Sequence, residues 1–297
     1  MFAARHPENV VPIRYAGECK LTDTICLAMP FFSRGSLQDR IEHSSLKISS
    51  TVKVGLQLLN GLQNIHNAGY LHFDVKPSNI LFSDRDDAMV ADFGQSKMFD
   101  PASGTVSSLP RIYPWAIAPE MFSAASTVRS DVFQAATTIY RAVNGDPFYK
   151  EQRPDPNGVD FQNKLKTAIT TGKLPDRDSF MPHVGGRLKR AIRKALFVDP
   201  ARRFKTPSEF ASDLESVEIK YDWQATFDSN GEVTWLGDRS DAASIQVKLL
   251  KDGSNWKTEV FTIGSKVQRK DKTSAWKSGI SRADAFNHLS SYFASLE

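Results

Sequence analysis

Asp74, Lys76, Asn79 and Asp92 lie close together in the chain, on Tyr70-Leu-His-Phe-Asp-Val-Lys-Pro-Ser-Asn-Ile-Leu81 and Val90-Ala-Asp-Phe-Gly94. A carboxylate two residues before a lysine on an extended loop can accept the proton of an attacking hydroxyl while the ammonium neutralises a migrating anionic group. Asparagine and aspartate are hard oxygen ligands, which suits magnesium, a cation that takes few protein ligands and keeps its waters and phosphates. The set fits phosphoryl transfer, where positioning and charge neutralisation supply nearly all the catalysis.

Such groups need stiff supports. Short apolar runs on either side of them read as buried strands. Upstream, Ser49 or Ser50 can cap a helix whose apolar positions Val52, Leu56, Leu59, Leu62 and Ile65 recur at three and four, ending at Asn67-Ala-Gly69. That helix carries no chemistry and delivers the loop. Ser130-Asp131 opens a second, mostly apolar helix that closes at Gly145. Ser33-Arg-Gly-Ser leads a short helix from Leu37, and amphipathic helices are expected over 160–171 and 187–197. The basic run from Arg187 to Lys194 reads as a solvated face rather than a nucleic-acid patch. His66 and His72 sit beside apolar runs and are expected to be core residues.

At these residues the chain resembles the eukaryotic-type serine/threonine protein kinase family, whose catalytic loop reads H-R-D-x-K-x-x-N and whose metal-binding turn reads D-F-G. His72-Phe-Asp-Val-Lys-Pro-Ser-Asn79 departs from that loop at Phe73 alone, and Asp92-Phe-Gly94 matches the turn. Ala118-Pro-Glu120, Ser130-Asp-Val132 and Asp199-Pro-Ala-Arg-Arg203 follow in the family's order. The resemblance implies a kinase-like region over about 5–217. It makes Asp74 the base, Lys76 the group neutralising the phosphoryl, and Asn79 and Asp92 the magnesium ligands, with ATP and Mg2+ as cofactors and a protein substrate. It implies that Asp131 anchors the catalytic loop and that Glu120 pairs with Arg203. Lys76 in D-x-K-P-x-N is similar to the serine/threonine subclass rather than the tyrosine one. In the family an arginine in place of Phe73 is often held by a phosphate on the activation loop, so its replacement implies switching on without that phosphate, or simple packing. The Ser- and Thr-rich stretch with Ser103, Thr105, Ser107 and Ser108 corresponds to that loop.

By the same resemblance His6-Pro-Glu-Asn-Val10 follows the helix of the small lobe, Thr24–Met29 forms a buried strand, Met29 is the gatekeeper, Pro30 to Phe32 is the hinge holding adenine (Phe31 among the ATP-binding residues), and Ile13 joins the hydrophobic spine. The family's glycine-rich turn, strand lysine and helix glutamate would all precede His6, and no G-x-G-x-x-G occurs later. Either a segment precedes Met1 or the small lobe is truncated. The first is preferred, because strands without sheet partners are unstable.

At 297 residues and 40% hydrophobic, the chain can bury a large core, and its net charge of +4 implies no polyanionic partner. Cys19 and Cys26 lack metal-ligand spacing and suit a reducing compartment. No run of about 18 apolar residues occurs and the first residues lack a signal peptide's apolar run, so a cytoplasmic protein is expected. After Val217 the texture changes to two hairpins, over 219–235 and 245–263, and a helix opened by Ser281 with Ala285, Leu289 and Phe293 on one stripe. Trp223, Trp235, Trp256 and Trp276, four of the chain's five tryptophans, are expected in its core or on its sheet faces.

The expected fold is α+β: a protein-kinase-like fold with a truncated small lobe (1–32) and a helical C-lobe (33–217), plus a small antiparallel-sheet-and-helix domain (218–297). That last part would contact a protein partner or the kinase lobe itself, its Lys266–Lys272 stretch being basic. The function expected is transfer of the ATP γ-phosphoryl group to a protein serine or threonine. The alternatives are a pseudokinase scaffold and a kinase-fold enzyme acting on a small molecule, the last opposed by the A-P-E segment that serves protein substrates.

Overall fold

A computed structural model describes residues 7–20, 24–99, 113–123, 126–239, 243–264, 268–270 and 275–296. The four serines and threonines named between 103 and 108, and most of the basic stretch 266–272, lie outside them.

The chain opens on an antiparallel hairpin, β1 (Tyr15–Cys19) and β2 (Thr24–Ala28). β2 was expected to be buried and is instead open, with Leu27 58% and neighbouring Tyr15 65% exposed. Among the described residues no third strand joins the pair, which leaves Leu27 and Tyr15 open to solvent. The preceding segment is better fixed. Val11 N–H donates to the Val90 carbonyl at 2.9 Å, and Val90 N–H donates to that of Asn9 at 2.8 Å. Gly61 permits this approach, since a Cβ there would lie 2.5 Å from the Asn9 carbonyl oxygen.

A helical body follows. α1 (Leu37–Ile41) starts with a reciprocal Ser36–Asp39 cap. α2 (Ile48–Asn67) buries Val54, Leu58, Leu59, Leu62 and Ile65, while Val52 and Leu56 are only half-buried. Its cap differs from expectation. Lys47 occupies the N-cap without a side-chain bond, and Asp222, far along the chain, accepts from Ser49 N–H at 2.8 Å and from the Ser49 hydroxyl at 2.5 Å. Two short antiparallel pairs then frame the loop of interest: β3 (Tyr70–Leu71) with β6 (Lys97–Met98), and β4 (Ile80–Phe82) with β5 (Ala88–Val90).

α3 (Val128–Asn144) runs through the centre of the body and is buried on every side from Ser130 onward. Thr127 and Ser130 cap it reciprocally, and it ends at Gly145, whose φ of 83° and ψ of 149° suit glycine alone. α4 (Asp146–Lys150), α5 (Phe161–Thr170), α6 (Gly186–Ala195) and α7 (Pro207–Glu215) pack around it. The buried Arg203 guanidinium meets the Glu120 carboxylate with two parallel bonds of 2.8 Å.

The remaining strands are β7 (Asp222–Phe227), β8 (Val233–Asp238), β9 (Ser244–Asp252), β10 (Asn255–Ile263), β11 (Gln268–Lys270) and β12 (Lys277–Ile280). They form one sheet in the order β11-β10-β9-β8-β7, with β12 also on β10. Alternation places Trp223, Ala225, Val233, Trp235, Val247, Leu249 and Val260 on one buried face, as the period-2 pattern requires. α8 (Arg282–Ala294) brings Ala285, Leu289 and Phe293 into the same core, and the Phe293 ring meets Trp223 edge-on at 4.7 Å. Trp256 and Trp276 are partly buried against it.

This sheet is not a separate body. Residues 43–45 add to its β7 edge: Ser45 N–H donates to the Ala225 carbonyl at 2.7 Å, and Phe227 N–H to that of His43 at 3.0 Å. Lys47 pairs with Asp238 at 2.6 Å, Trp235 Nε1 donates to His183 Nδ1 at 3.0 Å, and Phe227 covers Gly145. One continuous apolar core runs through both parts.

Candidate active site

Asp74 sits at the bottom of the loop between β3 and β4, only 4% exposed. Lys76 Nζ reaches its Oδ2 at 2.6 Å. Asn79, on the 3-10 turn Pro77–Asn79 and 6% exposed, donates to the same oxygen at 3.0 Å and to the Asp74 carbonyl at 2.9 Å. Oδ2 thus holds two donors. Oδ1 is buried and has no hydrogen-bond partner among the described residues. A buried carboxylate oxygen left open costs stability unless another group uses it, so the loop is arranged around an acceptor aimed at something outside it.

The backbone of this loop is held by one helix. Asp131, completely buried on α3, accepts from His72 N–H at 2.8 Å and Phe73 N–H at 2.9 Å, and bonds His66 Nε2 at 2.7 Å. Burial by itself would push the Asp131 carboxyl up; the His66 side-chain bond, with the His72 N–H bond, outweighs it and holds it below the usual carboxylate range. Three residues on, and so on the same face of α3, Gln134 accepts from Val75 N–H at 3.2 Å and donates to the carbonyls of Phe73 at 2.9 Å and Ala116 at 2.7 Å. Nothing in the sequence marked Gln134 apart from that spacing. These bonds keep Phe73 at a φ of 64°, a costly conformation for a bulky residue, with its side chain fully buried.

His72 is a core residue, as expected. Its Nδ1 accepts from Asp74 N–H at 3.3 Å and its Nε2 donates to the Ala91 carbonyl at 3.1 Å, next to Asp92. Burial pushes its pKa down, so the ring stays neutral. His66 is likewise buried, with Nδ1 unpartnered. Asp92 stands in an exposed turn at φ 65°, where its Oδ1 accepts Gly94 N–H at 3.1 Å, and Phe93 packs on the His72 ring at 5.4 Å.

The structure therefore brings Asp74, Lys76 and Asn79 into direct contact and ties the Asp92 turn to them through His72. Met29 and Phe31 are not brought to this group by any contact; they stand 55% and 92% exposed beyond β2. Tyr113, unmarked in the sequence, lies with its ring 4.7 Å from Lys76 Nζ. Among the described residues no three His, Cys, Asp or Glu side chains gather as a metal site. Asn79 spends its amide hydrogens on Asp74, which leaves its carbonyl oxygen for a cation, and the Asp92 carboxylate is exposed. A magnesium with two protein ligands fits this donor set.

A family model described as protein kinase domain matches residues 3–213. The chain belongs to the protein kinase family. Its kinase relatives include the serine/threonine-protein kinase PknK of Mycobacterium tuberculosis (strain ATCC 25618 / H37Rv), 30% identical over 198 residues, which is 65% of this chain and 17% of that one. The serine/threonine-protein kinase STY17 of Arabidopsis thaliana is 31% identical over 206 residues, 68% of this chain and 34% of that one. The CBL-interacting serine/threonine-protein kinase 21 of the same plant is 33% identical over 220 residues, 73% and 47% of the two chains. The chain thus spans less than half the length of each of these relatives. Among its described residues no helix is long and apolar enough to cross a membrane.

Proposed function

We propose that this chain transfers the γ-phosphoryl group of ATP to a serine or threonine hydroxyl of a protein. The observation that carries this reading is the unpartnered Asp74 Oδ1 beside an Oδ2 already held by Lys76 and Asn79. Oδ1 takes the proton of the incoming hydroxyl, and the two donors on Oδ2 keep the carboxylate aligned. Lys76 offers its remaining hydrogens to the migrating phosphoryl group. Asn79 and Asp92 would hold the magnesium, which would neutralise phosphate charge when bound. Met29 and Phe31 form one wall for adenine, the structure-linking role of Asp131 being separate from the chemistry. We divide the chain accordingly into 1–32, a small-lobe remnant with the hinge, 33–217, the C-lobe, and 218–297, an α+β addition that packs on it.

The exposure of Tyr15, Leu27, Met29 and Phe31 favours a second reading, a scaffold that keeps the catalytic set without turnover. Transfer from γ-labelled ATP in the presence of magnesium, to the protein itself and to a generic acceptor, separates the two. Labelled product in the wild type, abolished by Asp74→Ala while the fold is retained, supports the kinase reading. Absence of both labelling and magnesium-dependent ATP binding in the wild type supports the scaffold, and unchanged labelling in Asp74→Ala refutes the role given to that residue.

A further inference from the structure

Beside the catalytic loop lies a surface whose positive charge is not balanced. Asp146, buried at the end of α3, is contacted by three cations: Arg141 at 2.5 Å, Lys150 at 3.2 Å and Arg153 at 3.6 Å. One carboxylate cannot neutralise three. Arg141 has taken the close, charge-assisted position and also donates to Gln38 at 2.6 Å. Arg153 is left at the longest distance, with no other ion-pair contact among the described residues and with its Nε buried and unpartnered. Its guanidinium is instead gripped between two rings, 4.8 Å from Trp115 and 4.8 Å from Tyr149, which fixes its plane while 16% of the side chain faces solvent. Glu151, the adjacent carboxylate, does not supply the missing charge, since both its oxygens are taken by Arg282 at 2.9 and 3.0 Å. Asp155 and Asp160 make no ion pair with Arg153 among the described residues; they accept instead from Asn157 N–H and the Asn163 amide.

The place of this surplus matters. The 3-10 turn Pro114–Ala116 carries Trp115 over Arg153, and Tyr113 just before it touches Lys76 of the catalytic loop. The Trp115 carbonyl accepts the Tyr149 hydroxyl at 3.0 Å, so the turn is fastened to α4 and connects Arg153, through Trp115 and Tyr113, to Lys76 beside Asp74. A peptide that puts its hydroxyl on Asp74 and continues past Tyr113 would pass over Arg153 and the half-exposed Lys150. Resting on the kinase reading given above, we infer that this chain selects substrates with an acidic side chain a few residues from the phosphoacceptor, and that Arg153 reads it with help from Lys150. A carboxylate there pairs with the part of the Arg153 side chain that faces solvent, a charge-assisted contact of the kind arginine favours.

The test is binding, so that it does not depend on turnover. Three fluorescein-labelled peptides carry one serine in an alanine background with flanking Glu, Gln or Lys, and anisotropy at low salt gives their affinities for the whole chain. The Glu peptide is expected to bind about fivefold tighter than the Gln peptide, the weight of one partly exposed charge pair, and the Lys peptide weaker than both. Arg153→Gln narrows the Glu-to-Gln ratio to near one, and Arg153→Lys restores part of it. Since Arg153 is packed between rings, Lys150→Gln provides a second, solvent-facing variant that lowers the same ratio without disturbing the core. Equal affinities for the three peptides in the wild type, or a ratio that both variants leave unchanged, overturn the inference. Absence of phosphoryl transfer to peptides that nonetheless bind in this order overturns the kinase reading and leaves the acidic preference standing.

Discussion

Gly145→Ala puts the junction between the helical body and the C-terminal sheet to a quantitative test. Gly145 holds φ 83° and ψ 149°, a region open in practice to glycine alone, so any side chain there costs about 1–3 kcal/mol of backbone strain. Space is also lacking. A Cβ would lie 2.5 Å from Phe227 Cε2, 3.1 Å from Cζ and 3.3 Å from the Ser44 carbonyl carbon, and forcing such overlap in a packed site costs about another 1–3 kcal/mol. Gly69→Ala is the comparison, because Gly69 has φ 86° and nothing within 4 Å of the added carbon, which leaves a backbone cost of about 1–2 kcal/mol. Urea unfolding followed by tryptophan fluorescence reads both, and Trp223, Trp235, Trp256 and Trp276 report the sheet side of the junction. Gly145→Ala should lose clearly more stability than Gly69→Ala, and adding Phe227→Ala to it should recover part of the loss. If the two glycine variants agree within about 0.5 kcal/mol, the usual additivity error, the Phe227 contact does not hold the two parts together as described.

Other changes have equally definite outcomes. Asp131→Asn replaces one carboxylate oxygen, such as the Oδ2 that serves both His72 N–H and His66, by an NH2 group that cannot accept, so it should lower kcat more than KM in a transfer assay and cost about 1–3 kcal/mol in unfolding free energy. Arg203→Met strands the Glu120 carboxylate and should cost about 3–5 kcal/mol, whereas the double change Arg203→Met with Glu120→Leu should be milder than that single change, both read by urea midpoints. His183 is buried with its pKa pushed down to about 3 by desolvation, against an ordinary value near 6.5. The unfolded chain therefore binds the extra proton first, stability falls as pH drops below about 6.5, and His183 contributes about 1.4 kcal/mol per pH unit to that fall. His183→Gln, which keeps an acceptor for Trp235 Nε1, should flatten the stability-against-pH curve between pH 6 and 4 by roughly that slope. An unchanged curve would mean that the ring is not neutral and buried when folded.

How much of this was legible beforehand follows the range of the interactions. The catalytic loop was readable because Asp74, Lys76 and Asn79 are neighbours in sequence and their mutual distances follow from a short turn. The Asp131 anchor and the Glu120–Arg203 pair, though long-range, came from ordered motifs of the family and are present with good geometry. What escaped was set by partners the chain order does not announce. The cap of α2 is Asp222, not Ser49 or Ser50, because a carboxylate delivered by a distant strand satisfies that helix end. β2 is a continuous apolar run like that of a buried strand, yet such a run says nothing about whether a covering layer exists. The pattern of β7 to β10 showed which sheet face is apolar, but not that the body's own His183 and Gly145 would meet it. Gln134 and Tyr113 are ordinary in sequence and acquire meaning only through the loops they touch.

The addition of residues 43–45 to β7 has a consequence for how this chain survives in a crowded solution. An outermost strand presents a row of unused N–H and C=O groups, an invitation to pair with any extended chain that drifts past. Here the stretch leading into α2 takes those groups itself, and Ser45 Oγ additionally accepts Ala225 N–H at 2.9 Å. Cutting the chain between Val217 and Asp222 would therefore yield two sticky fragments, one with a bare strand edge and the other with its apolar seat uncovered, each prone to self-association that the intact chain prevents by pairing with itself.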